Sequence, residues 1–426
     1  MNEVDQQTAN AKLGQFRAEA LATFAQKSWP TRKDETFKYT DLGRWLGAIE
    51  WQELMNTSTI PAAEIDQKIA DFLKTVPPTF DAAIFLNGTL YQTLGNLNNM
   101  GSQSMSIRAH LTEETVLRSL TSPGHYIEAW QRAQVTDGLY LKLEEQETRA
   151  PLLILELITE IHGKSQLLHH LHLAHEHTLN LVHVQLNLSF GPVWFNTLWD
   201  LSLEAAVLKK YHLFLNTDST HIVMSEQGTL AEEALFESWY CNLNPSFVRH
   251  DLNLHLRGVA AKTKLRAVVL GQAKAHLDHH WHVQHQGDQT ETDIVVHGVA
   301  EDKSRLVFDG LIEVAKGVRG AIARESNHNL LLSPKAEIDT KPELEIYSHD
   351  VVCKHGATIG ALAPDALFYL KSRGLSHEEA VAVLVRAFSM QFLPEIELPT
   401  IKTWIEALIL DKINRNKPRL EDAHDQ

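Results

Sequence analysis

Alternating apolar and polar residues limit the fold of this chain more than any other feature of its sequence. The alternation begins at "PLLILELITEIHGKSQLLHHLHL", near residue 150, and returns in segments such as "DIVVHGVAEDKSRLVFDGLIEV" and "ELEIYSHDVVCKHGATIG". A period of two predicts β-strands, and the short breaks of Gly, Asn and Asp between the segments predict turns. Few helical segments interrupt the strands up to residue 360, which excludes an alternating βαβ architecture.

A strand-rich region of this length is either a large sandwich or a solenoid. Sandwich strands joined by tight hairpins should show more Asn-Gly or Asp-Gly turns than this sequence has, and Asp309-Gly310 is one of few candidates. A parallel β-helix is therefore the better interpretation, although no fixed-period repeat is evident.

Helical patterns flank the predicted strands on both sides. Near the N-terminus, one helical stripe is formed by five apolar residues: Leu13, Phe16, Ala20, Leu21 and Phe24.

After Pro364 the chain is predicted to be helical to its end, and Ser376 with Glu379 fits a capping box ahead of an apolar stripe. These changes of period divide the chain into three parts. We predict an N-terminal, mainly helical region (residues 1–145), a parallel β-helix core (146–362) and a C-terminal helical domain (363–426).

Composition excludes several classes of function. Lys and Arg total 39 against 54 Asp and Glu, and the net charge of −15 disfavours a protein that binds nucleic acid through a basic face. The two cysteines, Cys241 and Cys353, cannot form a disulfide framework for 426 residues. The N-terminus is polar, and no run of 18 apolar residues predicts a transmembrane helix. We therefore expect a cytoplasmic protein that binds neither nucleic acid nor membranes.

The segment "VVCKHGATIG" places Cys353 two residues before a histidine, His355. In an extended strand both side chains project the same way, with roughly 6.5 Å between their Cα atoms, and Lys354 points to the opposite side. A thiolate and an imidazole are a pair of metal ligands or a nucleophile and its base. Two residues alone do not decide between these roles.

Histidine is abundant, and 17 of the 24 histidines lie between positions 162 and 297. The densest run, "AHLDHHWHVQH", ends at residue 285, and His280 and His282 would share one face of a strand there, as two ligands of a metal would. A histidine-rich but exposed strand face is the simpler interpretation. A histidine-rich metal-binding protein that acts alone remains a third hypothesis for function.

Two pairs of carboxylates lie at strand spacing, Glu337 with Asp339 and Glu343 with Glu345. Paired carboxylates cleave glycosidic bonds in many enzymes, so a β-helical carbohydrate-active enzyme is the alternative function. A solvated strand face explains the same pattern, and no P-loop, G-x-S-x-G or H-E-x-x-H motif indicates another enzyme class. The alternative also usually carries a secretory signal, which we do not see.

The segment "NHNLLLSPKAEIDTKPELEIYSHDVVCKHGATIG", followed by "LFYLKSRGLS", resembles the C-terminal signature of the SufB/SufD family of the SUF iron–sulfur cluster assembly machinery. Near the N-terminus, "PTRKDETFKYTDL" is similar to the opening motif of the SufD branch. The resemblance covers nearly the whole chain. One stretch departs from it: "KGVRGAIARES" stands where the family pattern has a segment containing Gln and Asp.

The resemblance implies a right-handed parallel β-helix between two helical regions and a non-catalytic scaffold role. It implies that the chain pairs with a SufB-like scaffold subunit through the β-helix, or with a second copy of itself in isolation. It also implies that a SufC-like ABC ATPase binds this chain and hydrolyses ATP on its own subunit. We expect the C-terminal helices to dock that ATPase.

The step that the resemblance associates with this branch is iron acquisition for the nascent cluster. His355 is the preferred ligand for iron or the cluster at the subunit interface, and Cys353 is the second choice. A cluster takes about four ligands, and two separated cysteines cannot supply them. We therefore expect no cofactor to be stably bound by the isolated chain.

Overall fold

A computed structural model describes residues 3–25, 30–47, 61–76, 80–95, 97, 104–106, 126–143, 150–174, 176–189, 191–215, 219–243 and 245–415. The α-helices among these residues are Glu3–Ala25 (α1), Leu42–Gly47 (α2), Ala62–Leu73 (α3), Tyr126–Arg132 (α4), Pro364–Ser372 (α5), His377–Ser389 (α6) and Pro399–Arg415 (α7). Short 3₁₀ helices lie at Glu35–Phe37 and Leu393–Glu395.

The strands follow one another with short connections from residue 150 onward. They are Asp81–Leu86 (β1), Thr89–Leu94 (β2), Ser104–Ser106 (β3), Leu139–Leu143 (β4), Leu152–Ile158 (β5), Lys164–Leu173 (β6), Thr178–Asn187 (β7), Val193–Leu203 (β8), Val207–Phe214 (β9), Thr220–Leu230 (β10), Leu235–Leu243 (β11), Phe247–Leu256 (β12), Lys262–Gly271 (β13), His276–His285 (β14), Glu291–Ala300 (β15), Arg305–Val314 (β16), Ala321–Leu331 (β17), Glu337–Ile346 (β18) and Val351–Gly360 (β19).

The strands form two sheets that face each other. From β4 onward each strand pairs in parallel with the strand two places further along the chain, so odd-numbered and even-numbered strands build separate sheets. This connectivity is a parallel β-solenoid of about seven coils, flanked by helices at both termini. The predicted parallel β-helix is confirmed. Asp309-Gly310, the candidate hairpin turn, lies inside β16 instead.

The coils differ in length, which explains why no fixed-period repeat is evident in the sequence. His221 pairs with Phe247, 26 positions later, whereas Arg305 pairs with Glu337, 32 positions later. The corners are equally irregular in residue type. Left-handed backbone torsions occur there at residues other than glycine, for example at Glu176, Ala205, Glu233, Ala260 and Gln289.

The inward-facing side chains of the two sheets form the central core. Most are aliphatic or aromatic and fully buried, such as Phe236, Leu254 and Ile294. At about 25 cal/mol for each Å² of buried apolar area, this continuous core is the main source of stability for the stacked coils.

The helices at the two termini cover the outer faces of the sheets. Ile401, Ile405 and Ile409 of α7 belong to one apolar cluster with Trp239 and Val268 of the odd-numbered sheet. On the even-numbered sheet, the N-terminal segment packs Phe37 and Leu42 into a cluster with Trp194 and Phe247. Both faces of many strands are therefore buried, and the helices are part of the folded unit.

One ion-pair network connects the N-terminal segment to the solenoid. The buried guanidinium of Arg249 donates to Asp278 at 2.8 Å, to Asp251 at 2.7 Å and to the backbone oxygen of Thr36 at 3.0 Å. It also lies over the ring of Phe37, 4.8 Å from the centroid. The segment "PTRKDETFKYTDL" is thus held in place by a buried charge on β12.

The predicted helices are present within the described residues, with one error of assignment, and the predicted helix beyond residue 415 lies outside them. Leu13, Phe16 and Ala20 of α1 are buried, but Leu21 is 55% exposed. Its place on the apolar stripe was wrong because it follows Ala20 directly, and successive helical residues point about 100° apart. At the other end, Ser376 and the Glu379 side chain form the predicted capping box of α6. None of the described helices is long and apolar enough to span a membrane.

Candidate functional site

Cys353 and His355 lie on β19, the last strand of the odd-numbered sheet. Cys353 pairs with Ala323 of β17, and His355 pairs with Glu325. Because Ala323 and Glu325 are fully buried inside the solenoid, the paired side chains of β19 also face the interior side. His355 is nevertheless exposed, since no further described strand pairs with β19 and covers this coil.

The thiol and the imidazole differ in environment. Cys353 is half-buried and packs against the central core. Partial burial raises the pKa of the Cys353 thiol, despite a hydrogen bond with the backbone of Ala323 that acts in the opposite direction. Less thiolate is therefore present at neutral pH than for an ordinary cysteine, so this thiol is a weaker metal ligand than an ordinary one.

The end of the solenoid at β18 and β19 has an incompletely covered interior. Ile338 and Leu344 of β18 are half-buried, whereas their partners on β16, Leu306 and Ile312, are fully buried. On β19, Ile359 is 48% exposed. Pro342 in the middle of β18 is typical of an edge strand, because proline lacks a backbone donor. We call this surface, formed by β18 and β19, the open end.

The acidic pairs of β18 do not form an isolated catalytic dyad. Asp339 accepts from Arg305 at 2.7 Å, and Glu343 is paired with Lys341 at 3.0 Å. Glu345 accepts from the hydroxyl of Tyr347 at 3.1 Å. These carboxylates belong to a charged strand face, as the simpler interpretation predicts, and they give the carbohydrate-enzyme alternative no support.

The predicted pair on the histidine-rich strand β14, His280 and His282, is half-buried, and the two rings face different carboxylates: His280 lies 2.8 Å from Asp278, and His282 lies 3.3 Å from Glu313. The other histidines of the strand are not on the exposed face that the sequence suggested. His276, His279 and His285 are at most 7% exposed, because the N-terminal segment covers one side of the strand and the interior covers the other. Their partners are separate groups: His276 contacts the hydroxyl of Thr40 at 2.7 Å, and His285 contacts that of Thr290 at 2.7 Å. Each of these two rings therefore has its own structural partner.

Among the described residues, one cluster has ligand atoms close enough for a metal: Glu156, His169 and His183, all buried inside the solenoid. The backbone N–H of Leu139 donates to Nδ1 of His169 at 3.1 Å, so the neutral ring carries its proton on Nε2. That nitrogen faces Glu156 at 3.3 Å and donates to it. A protonated nitrogen cannot bind a metal, and metal-binding histidines usually donate from their other nitrogen. The cluster is thus better explained as a hydrogen-bonded core.

Glu156 starts a chain of polar groups that the sequence analysis missed. Burial alone would raise the pKa of Glu156, but the imidazoles of His183 and His169 hold this pKa well below its usual value. His183 contacts His212 at 3.0 Å between their Nδ1 atoms, and His212 lies 3.2 Å from Glu226. A single Glu inside the apolar run "LLILELI" was the available signal for this interior network.

Comparison with known proteins shows which proteins this chain is similar to. Residues 194–388 match the family described as "SUF system FeS cluster assembly, SufBD core domain". The chain is 26% identical to the iron–sulfur cluster assembly protein SufD of Escherichia coli, over 89% of this chain and 88% of that protein. It is 31% identical to SufD of Bacillus subtilis over 38% of this chain and 36% of that protein, and 23% identical to the chloroplastic protein ABCI7 of Arabidopsis thaliana over 91% and 83%.

The matched segment runs from β8 to α6, and the similarity to the Escherichia coli protein extends well beyond it. The parallel solenoid is also the fold that the resemblance of its C-terminal signature implied. On these grounds, the chain is a member of the SufB/SufD family of the SUF system of iron–sulfur cluster assembly.

Proposed function

We propose that this chain is a non-catalytic subunit of an iron–sulfur cluster scaffold, and that its open end pairs with a SufB-like β-helix. The observation that carries the proposal is the exposed coil of β18 and β19, which ends both sheets and carries His355. Unpaired strand edges accept further strands, and half-buried apolar side chains beside them favour a partner that continues the core. A second copy of this chain fits the same surface when the partner is missing.

Iron enters this arrangement as cargo. A neutral imidazole binds ferrous iron near pH 7, and at the open end His355 would receive the ion where the partner's ligands can complete its coordination. Cys353 is the secondary candidate, since its thiol is half-buried and has a raised pKa. The chain itself supplies too few ligands for a stable cluster.

Replacing His355 by alanine should reduce cluster build-up on the assembled complex by about tenfold or more, as expected for the loss of a metal ligand. The side chain is exposed, so thermal unfolding and complex formation should change little. The measurement is reconstitution of the complex, followed by visible absorbance and by iron and sulfide content.

The matched control is His349→Ala, which removes another exposed histidine six positions earlier. It should leave the cluster yield unchanged. A normal yield from His355→Ala would reject the ligand role, whereas loss of stability would identify His355 as a structural residue. Cys353→Ala should reduce the yield less than His355→Ala does.

The ATPase-binding surface is proposed to be α5. This helix has no buried residue, and it exposes Phe368 by 75% and Tyr369 by 55%. By contrast, α6 and α7 pack against the odd-numbered sheet through residues such as Val385 and Ile405. Removing everything after Gly360 would therefore expose the core, so substitutions on α5 are the sharper test.

The double variant Phe368→Ala and Tyr369→Ala should bind a SufC-like ATPase roughly thirtyfold more weakly, which corresponds to about 2 kcal/mol for the loss of an aromatic hot spot. Its thermal stability should be unchanged, because both rings are exposed. Leu21→Ala on α1, where the side chain is 55% exposed, is the control for loss of exposed apolar surface elsewhere. Undiminished ATPase binding by the double variant would rule out this surface.

A further inference from the structure

One carboxyl group inside the solenoid has no partner in the described part of the chain. Glu325 lies in the middle of β17 and is 1% exposed, and neither of its side-chain oxygens has a hydrogen-bond partner among the residues that the structure describes. Buried polar groups are almost always hydrogen-bonded, because an unpaired one loses its water without replacement. Burying an unpaired carboxylate anion costs several kcal/mol more than burying the neutral acid, so Glu325 is held as the neutral acid. Burial, together with Asp309 and Glu343, raises the pKa of Glu325 to about 8.

The backbone of the facing sheet makes room for this carboxyl. A side chain at Gly310 of β16 would place its Cβ 2.5 Å from Oε1 of Glu325, which is closer than real Cβ atoms approach. The carboxyl therefore lies directly over a glycine, at a position where any other residue would displace it. Space is thus provided for Glu325, although no hydrogen bond holds it there.

Glu325 is also the direct neighbour of His355. The two residues are paired across β17 and β19, so their side chains point to the same side of the sheet. Paired strands lie about 4.8 Å apart, which is within the reach of a glutamate side chain. His355 lies on the outermost described coil, one strand beyond Glu325, and is exposed. A rotation of the Glu325 side chain toward the open end would move its carboxyl to the side of β19 that carries His355.

We propose that Glu325 is a second ligand from this chain for the divalent iron ion that His355 receives at the open end. The inference rests on the proposed role of His355 and extends it to a mixed oxygen and nitrogen site. Imidazole and carboxylate are common ligands of ferrous iron in proteins. On binding, the Glu325 carboxyl gives up its proton to solvent and forms an oxygen–metal bond, so the cation supplies the positive charge that the buried group lacks.

The position also belongs to the stretch that departs from the family pattern, "KGVRGAIARES", whose penultimate residue is Glu325. The stretch that departs therefore includes the residue in register with His355. In the assembled complex, the partner would supply the remaining ligands.

The test is titration of the full-length chain with Co²⁺, followed by visible absorbance, and with Fe²⁺ under anaerobic conditions by calorimetry. Glu325→Gln keeps the shape of the side chain and removes its anionic form, and it should weaken binding of both ions about tenfold or more. Glu291→Gln removes an exposed carboxylate from β15 that is paired with Lys262, and it should not change the affinity.

The same titration of His355→Ala separates this inference from the proposed function. Weaker binding in both variants supports the two-ligand site. If His355→Ala weakens binding and Glu325→Gln does not, the glutamate inference is wrong and the role of His355 stands. If neither variant weakens binding, both ideas fail. Weakening by Glu325→Gln alone would mean that the two residues do not share a metal, which also overturns the inference. Thermal unfolding of each variant excludes general loss of structure as the cause.

Discussion

Lowering the pH from about 7.5 to about 5 should remove most of the free energy of unfolding of this protein. Four histidines, His276, His279, His285 and His297, are at most 7% exposed. Burial lowers the pKa of His279 to about 3 and the pKa of each of the other three to about 4. In an unfolded chain a histidine has a pKa of about 6.5.

Stability falls with falling pH because the unfolded chain binds the protons more tightly than the folded chain does. Between about pH 6.5 and about pH 4 the unfolded chain binds protons that the folded chain excludes. The stability due to neutral burial is therefore complete above about pH 6.5 and is lost as the pH falls through this range. Each histidine contributes up to ~1.4 kcal/mol per pH unit, and pH 5 lies about 1.5 units below the unfolded pKa. Each therefore contributes ~2 kcal/mol and the four together ~8 kcal/mol, against a total stability of about 5–15 kcal/mol.

Urea unfolding at several pH values, followed by circular dichroism, measures this dependence. His285→Gln is a useful companion variant, because an amide can contact the hydroxyls of Thr290 and Thr292 that lie 2.7 and 2.8 Å from the ring. Its free energy of unfolding should depend on pH about a quarter less steeply. A free energy that stays constant from pH 7.5 to 5 would mean that these imidazoles are not held neutral by the fold.

Replacing Glu226 by leucine should cost about 3–5 kcal/mol of stability, because it leaves a lysine buried without its counter-ion. Lys210 and Glu226 are fully buried and in direct contact, and the hydroxyl of Tyr240 also donates to Glu226. The ammonium of Lys210 lies over the ring of Trp199, 3.4 Å from its centroid. Burial lowers the pKa of Lys210 to about 8, even though Glu226 acts to raise it.

The double variant Lys210→Met and Glu226→Leu should recover most of this loss, since buried ion pairs exchange for apolar residues at little net cost. The exposed pair of Lys262 and Glu291, at 47% and 40% side-chain exposure, provides the comparison. Glu291→Gln should cost less than 1 kcal/mol, as surface ion pairs do. If urea unfolding showed that Glu226→Leu and Glu291→Gln lower the free energy of unfolding equally, burial of Lys210 without its counter-ion would not be the cause of the loss.

The fold could be predicted from the sequence because its signal is local. Alternation along each strand is a property of consecutive residues, and it indicated strands even where helices cover the outer face. The repeat was hidden because the coils differ in length and their corners hold residues such as Glu176 and Ala205 in left-handed torsions, where glycine would have marked a turn. The buried state of His276 was hidden too, since a segment more than 200 residues earlier in the chain, through Thr40, covers it.

The candidate site was predictable only in part, because some of its residues meet only through contacts between distant parts of the sequence. Cys353 and His355 are two residues apart, so the strand pattern alone places them on one side. Glu325 becomes their neighbour only through the register of β17 against β19, which depends on the length of the intervening coil. The polar network around Glu226 likewise joins residues from several coils, and no local pattern connects them.

The two ends of the solenoid are unlike, and this decides how far an assembly can grow. At one end the described sheets finish on the antiparallel strands β2 and β3, of six and three residues, whereas at the other they finish on parallel strands of ten residues each. If both ends carried long parallel edge strands, each copy could pair with a further copy at its free end, and stacking would continue into a fibre. Here a second solenoid that docks on β18 and β19 covers the long edges that the described strands offer. If the proposed pairing occurs, polymerisation would stop at the pair, because the opposite end offers only short antiparallel strands among the described residues.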